Sequence, residues 1–275
     1  MLLEKMKLFG SRFAQEPPLR LFSRFFVKNF SSSIRNKAQW DAVARPQYLV
    51  GMLAAADQAA REQVQEICAI EFGVAQGHGL VALQEHAAAI ERETKIKIQV
   101  YGFDSGVGLP SVRDDYRDHP DQWRDGDYRM DEARLRRQLT SRTQLVLGDV
   151  RETVPRFVSE TQKVPIGFLA MDLDLYSSTQ AALQVLSMPE KKMLRRVPMY
   201  FDDVRFFFNH KFAGELLAIE ELNQSNPDVK IDIWRGLPDG RVFPENPWLH
   251  NMYVAHDLRA ITNVKLQRAP AATAV

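Results

Sequence analysis

Five short apolar runs, each carrying an acidic residue at or next to its end, set the strongest limit on what this chain can fold into. They are EICAIEFG (66–73), KIQVYGFD (97–104), TQLVLGD (143–149), PIGFLAMD (165–172) and VPMYFDD (197–203). Runs this apolar read as strands buried on both sides of a sheet. Between them lie segments of helical composition: 45–65, with Pro46 suited to its first turn, 80–94, 131–139, 152–160, 177–188 with a Ser/Thr cap, and 211–224. Two later runs, 229–234 and 250–257, read as final strands. Strand alternating with helix predicts an α/β fold, doubly wound, with a mostly parallel sheet covered on both faces. Ligands of such sheets bind beyond the carboxyl ends of the strands, where Glu71, Asp104, Asp149, Asp172 and Asp202 all fall.

A chain of 275 residues suits one large α/β domain or two small ones. No internal repeat or composition break marks a second, so the expected organisation is an arm (1–44), one domain (45–262) and a frayed low-complexity tail (263–275). The arm is rich in Lys, Arg and Phe. Three readings of it stay open: phenylalanines packing on the domain or on a second subunit of a homodimer, a membrane-surface patch, or an organellar transit peptide. Glu4, Glu16, the Pro17-Pro18 break and the lack of a cleavage signal favour the first. No apolar stretch approaches the roughly 20 residues of a spanning helix, so no stable membrane insertion is expected. A net charge of +1 gives no bulk electrostatic ground for a nucleic-acid partner. The single cysteine, Cys68, excludes an intrachain disulfide, fits a reducing, cytoplasmic setting, and reads as a small core residue.

The loop EFGVAQGHG (71–79) joins a strand to a helix. Gly73, Gly77 and Gly79 allow a tight turn and close approach of backbone to a ligand. The order is not the G-x-G-x-x-G of a dinucleotide fold, and no Gly-Lys-Ser/Thr follows as in a P-loop. A loop without a basic anchor, but with Glu71, suits a ligand bearing a cationic group; a tight turn with no ligand is the plain alternative. Asp104 offers two acceptors to ribose hydroxyls. Asp149 suits an exocyclic amine such as adenine's, with Val150 against the base and Ser105 and Gly148 beside the two acids. Each acid alone is equally a helix cap. Three together, at successive strand ends beside the glycine loop, make a nucleoside-shaped pocket.

In this order and spacing, EFGVAQGHG, GFDSGVGLP, GDVRETVP, MDLDLYSST and YFDDV resemble the class I S-adenosylmethionine-dependent methyltransferases, in particular the macrocin/mycinamicin O-methyltransferase type. The similarity covers 45–225. It implies a seven-stranded Rossmann-like sheet with an antiparallel last strand. It also implies Glu71, Gly73 and Gly77 at the methionine end of the cofactor, Asp104 at the ribose and Asp149 at the adenine edge. After the ribose aspartate this chain keeps Gly108, Leu109 and Pro110 but lacks the acid common in the family.

On a strand, Asp172 and Asp174 project to one side, and YFDDV adds Asp202 and Asp203 at the next strand end. Oxygen-only ligands suit Mg²⁺ or another hard cation better than Zn²⁺. By position the resemblance implies Asp172, Asp202 and Asp203 as the metal ligands, with Asp174 supporting them or capping the next helix. The alternative is that these acids cap helices and pair with Arg205 or Lys211. The chemistry implied is methyl transfer to a hydroxyl of a small molecule, a sugar or secondary metabolite, with Asp172 or His210 as the base. Phe206–Phe208 read as core or as a substrate wall. The loop 111–130, with Tyr116, His119, Trp123 and Tyr128, reads as a lid. Two rivals stand beside this: a nucleotide-sugar glycosyltransferase using Asp172-Leu173-Asp174, and a cofactor-binding regulator that transfers nothing.

Overall fold

The computed structural model describes residues 18–111, 115–206 and 208–264. Expectations for the start of the arm, for Phe207 and for the end of the tail lie outside them. Seven strands form one sheet: β1 Glu66–Phe72, β2 Lys97–Asp104, β3 Thr143–Leu147, β4 Ile166–Met171, β5 Arg196–Phe201, β6 Val229–Ile233 and β7 Met252–Asp257. Their order is β3-β2-β1-β4-β5-β7-β6. The pairs from β3 to β5 are parallel, and β7 runs antiparallel between β5 and β6. The doubly wound sheet and the antiparallel last strand are therefore both present.

The helices are α1 Pro18–Phe30, α2 Ile34–Gln39, α3 Pro46–Arg61, α4 His78–Thr94, α5 Glu132–Arg136, α6 Val150–Arg156, α7 Tyr176–Leu183, α8 Gly214–Ser225 and α9 Leu258–Thr262. Pro46 opens α3, where its missing N–H costs nothing. One group, α2, α3 and α4, packs together over one face, and α6, α7 and α8 pack in series over the other. Buried on both faces, β4 has no exposed residue, which is why its sequence is uniformly apolar and not alternating. Phe168 at its centre is fully buried and packs on Tyr48 of α3, 5.7 Å between ring centroids. Phe168→Ala is expected to cost about 3–5 kcal/mol, read as a lower urea midpoint at unchanged slope.

From β1 the chain winds outward to β2 and β3, then crosses back to β4 on the other side of β1. That reversal opens a crevice at the carboxyl ends of β1 and β4. It brings the glycine loop and the MDLD segment face to face.

Within the chain the arm's described phenylalanines do not pack on the domain: Phe22, Phe25, Phe26 and Phe30 are 53–69% exposed. Arginine does the docking: Arg20 lies 3.8 Å over the Phe243 ring and hydrogen-bonds Glu245 and Asn246. Asp41 and Arg241 form a buried ion pair joining the arm to the segment before β7. Among the described residues, no helix is long and apolar enough to cross a membrane.

Candidate active site

Where β1 ends, Gly73 turns the chain with φ 84°, and Gly77 repeats that conformation just before α4. A Cβ on Gly73 would lie 1.7 Å from the Asp172 carbonyl oxygen, so only glycine lets the β1 and β4 ends approach this closely. A Cβ on Gly79 would lie 1.7 Å from Glu71 Oε1. The bare backbone there is the space the Glu71 carboxyl occupies. The Tyr48 hydroxyl donates to Glu71 Oε1 at 2.9 Å, while Oε2 is buried without a partner. Burial, then the charge of Asp172, push the Glu71 carboxyl up to about 8, against the pull of Tyr48 and Arg45.

Asp104 clamps the glycine loop. Its Oδ2 accepts from Val74 N (2.8 Å) and Ala75 N (2.9 Å), and its Oδ1 from Gly106 N (2.6 Å). A carboxylate has about four acceptor sites, so one is left at Oδ1. The pair of sites expected for two ribose hydroxyls is not available. Asp149 caps α6 through Arg151 N at 2.8 Å and is paired with the Arg151 guanidinium, so the plain cap reading describes it. The Ser105 hydroxyl donates to Gly108 O. Gly73, Gly79, Asp104, Ser105, Gly148, Asp149 and Val150 nevertheless all line one cavity of about 730 Å³. Gly77 does not line it; it turns the loop against Leu135.

Asp172, Asp174, Asp202 and Asp203 line the same cavity at its other side. One carboxylate oxygen from each of Asp172, Asp202 and Asp203 lies within 4.8 Å of the others. The oxygens converge although the residues come from two adjacent strand ends. Asp174 stands outside this trio, in the left-handed region at φ 63° and buried. It is not the cap of the next helix: Leu175 occupies that position without a side-chain bond, and the cap comes from Asp118. Asp118 accepts from Ser177 N at 2.7 Å and from the Ser177 hydroxyl at 2.9 Å. Neither Arg205 nor Lys211 lines the cavity. The cation facing the cluster is Arg45. Burial works against its charge, but Tyr48, Asp172, Glu71 and Asp202 outweigh that and lift its pKa. Its φ of 47°, directly before Pro46, is a strained backbone held at the site.

Burial is also the first cause of the high carboxyls beyond Glu71. With the charge of Asp202 it pushes Asp172 up to about 7; with Asp172 and Asp202 it pushes Asp174 to about 7. With Asp174, Asp172 and Asp202 it pushes Asp203 to about 9. Unfolded carboxyls titrate near 4, so between these limits the folded protein holds more protons and loses stability as pH rises. The metal-free melting temperature is expected to fall between about pH 6 and pH 9. Added Mn²⁺ is expected to raise it more at the upper end, where it no longer competes with protons. Scanning fluorimetry across pH checks both; a profile flat in pH and indifferent to Mn²⁺ would contradict the cluster's electrostatics.

The loop expected as a lid is docked. Arg117 stacks 4.5 Å over Tyr176, His119 is buried against Phe206 and His210, and Trp123 packs on Phe206. Trp123 and Tyr128 reach the cavity; His119 does not. Nor does His210, which is exposed and whose Nδ1 accepts from Phe212 N, so the structure does not bring it to the carboxylates as a base. Phe208 is 78% exposed, against the expectation of core, while Phe206 packs on the loop. The residues that sequence reading missed are Arg45, Tyr48, Asp118, Glu215 and Asn251. Glu215 is fully buried and accepts from Asp203 N at 2.9 Å. Asn251 donates to the Phe201 and Asp202 carbonyls.

No protein-family model matches the sequence, and no curated protein matches it. Among solved structures, CalS11, a calicheamicin methyltransferase, superposes with a TM-score of 0.52 at 24% identity, over 88% of this chain and 93% of that one. An apo structure of CalS11, a TDP-rhamnose 3'-O-methyltransferase, gives 0.48 at 22% identity over 90% of each chain. The O-methyltransferase NovP gives 0.43 at 22% identity, over 57% of this chain and 65% of that one. The first likeness shows a shared fold, the Rossmann-like sheet described above.

Proposed function

We propose that this protein is an S-adenosylmethionine-dependent O-methyltransferase acting on a hydroxyl of a small molecule, a sugar or other secondary metabolite, with a divalent cation such as Mg²⁺. One observation carries the reading. A single cavity joins the glycine loop with its buried acid to a convergent set of three carboxylates at the neighbouring strand ends. The fold shared with CalS11 adds weight, since that protein is a methyltransferase.

Both groups fit the residues present. Glu71 Oε2 is a buried acceptor with no donor at the glycine-loop side of the cavity, which suits the ammonium of the cofactor's methionine end. The single acceptor site left on Asp104 suits one ribose hydroxyl. Val150 offers an apolar wall beside Asp149. At the other side Asp203 Oδ2 is also buried without a partner, and oxygen-only donors suit a hard cation.

A bound cation supplies Lewis acidity that lowers the acceptor hydroxyl's pKa. This chain's own residues do the rest. The docked loop brings Trp123 and Tyr128 over the cavity and narrows water's access to it. Asp172, at the cavity wall between the glycine loop and the other carboxylates, would take the acceptor hydroxyl's proton, and bound S-adenosylmethionine would supply an already activated methyl group. Arg45 faces Asp172 and Asp202 and offsets part of the negative charge the cluster carries. Holding donor and acceptor in line supplies much of the rate.

The test is transfer of labelled methyl from S-adenosylmethionine to a panel of glycosides and phenols, with and without a chelator. Chelator-sensitive transfer supports the proposal. Binding of a nucleotide sugar with none of S-adenosylmethionine would contradict it, and cofactor binding without transfer across the panel would favour a regulatory protein.

A further inference from the structure

We propose that Glu215 is a positioning residue for the cation site, acting through the backbone of Asp203; this rests on the cation reading above. The turn after β5 carries two of the three converging carboxylates; the Asp202 amide donates to the Met171 carbonyl at 3.0 Å, and three side chains tie the rest of its backbone. Asn251 Nδ2 donates to the Phe201 carbonyl at 2.6 Å and to the Asp202 carbonyl at 2.9 Å. Asn209 Nδ2 donates to the Asp203 carbonyl at 2.9 Å. Glu215 Oε2 accepts from the Asp203 amide at 2.9 Å. The two asparagines hold carbonyls; among the described residues, Glu215 is the side chain that holds the Asp203 amide.

Glu215 is an unusual choice for such a tie. It lies in the first turn of α8, 1% exposed, and its second oxygen, Oε1, is buried with no partner. Leaving a buried polar atom bare is costly to the folded state. A fold selected for stability alone would place an apolar side chain here. The residue before it, Gly214, has φ 58°, and Ala213 is fully buried, so the start of α8 is pinned and the carboxyl's reach is set. Outer contacts of this kind orient the groups that hold an ion. A turn rotated by loss of this bond carries both Asp202 and Asp203 away from Asp172.

The test is Mn²⁺ titration calorimetry on the full chain with S-adenosylhomocysteine bound. Glu215→Gln keeps an acceptor at the same reach and is expected to bind Mn²⁺ within about threefold of wild type. Glu215→Met removes the acceptor, and Glu215→Asp shortens it; each is expected to weaken Mn²⁺ binding by roughly 10–100-fold while S-adenosylhomocysteine affinity stays within about threefold. Glu215→Asp keeps the charge and is the arm to read should Glu215→Met fail to fold. Wild-type affinity in Glu215→Asp or Glu215→Met would overturn the role. Equal losses in Glu215→Gln and Glu215→Met would overturn it in favour of Glu215 touching the ion directly. Wild-type protein that binds S-adenosylhomocysteine but no Mn²⁺ would instead remove the cation reading itself, and the positioning role with it.

Discussion

Asp203→Asn is expected to lower methyl transfer by roughly 10²–10⁴-fold while leaving S-adenosylhomocysteine affinity within about threefold. The asymmetry follows from position. Asp203 lies among the carboxylates beyond β4 and β5, and the glycine loop and Glu71 lie toward β1 and β2, with the cavity between. Asp203 Oδ2 is buried and bare, so the carboxyl is in place for a partner the fold does not itself provide. An amide is a weak ligand for a hard cation. The same substitution relieves crowding among Asp172, Asp174 and Asp202, so the metal-free variant is expected to melt no lower than wild type. Loss of turnover in a protein that is equally stable and still binds cofactor would separate chemistry from folding. Equal turnover in Asp203→Asn would show that the carboxylates are structural.

Glu71→Gln is expected to give the opposite pattern: a well-folded protein that has lost its cofactor. Truncating one side of a buried charged contact costs about 2–5 kcal/mol, which puts the loss of S-adenosylhomocysteine affinity at roughly 30- to 5,000-fold. The glutamine keeps the volume and an acceptor for the Tyr48 hydroxyl, so the α3–β1 contact survives. Removing a carboxyl whose burial lifts it to about 8 lightens an electrostatic load that grows with pH. Above about pH 8 the variant should therefore melt at or above wild type. Calorimetry beside a thermal melt reads both quantities. Undiminished affinity in Glu71→Gln would place the cofactor's cationic end elsewhere.

What the sequence made legible was whatever has a local cause. Strand ends announced themselves because apolar runs buried on both faces stop at a polar residue, and the strand order then placed those ends on one edge. Gly73 and Gly79 could be named because glycine's freedom is readable one residue at a time; Asp172, Asp202 and Asp203, whose carboxylate oxygens converge, were named by position from the family resemblance. The misses have non-local causes. Asp118 reads as one acid among many in a polar loop, yet it caps α7 across 59 positions of sequence. Glu215 sits in GELLAIEEL, where a helix-start acid is expected to face water, and only the packing of α8 on the β5 turn buries it. Arg45 before Pro46 gives no sign of its left-handed backbone. Asp104 differs in another way: it lines the cavity as its residue type suggests, but the glycine loop's own amides and Gly106 N take three of its acceptor sites.

The arm shows the same limit. Phenylalanine content predicted packing on the domain or on a second subunit; within the chain, the partly buried side of α1 is set by Arg20, Leu21, Arg24 and Val27, and the phenylalanines face outward. Hydrophobicity alone does not say which side of a helix meets the domain when arginines find buried partners such as Phe243 and the Asp41 carbonyl.

A crystal structure of the full chain soaked with S-adenosylhomocysteine and Mn²⁺, with anomalous data at the manganese edge, tests the central claim most directly. The cofactor's amino group is expected at Glu71, its sulfur directed toward the carboxylates, with one anomalous peak shared by Asp172, Asp202 and Asp203. Cofactor density elsewhere, or a filled cofactor pocket with no anomalous peak among those three aspartates, would contradict it.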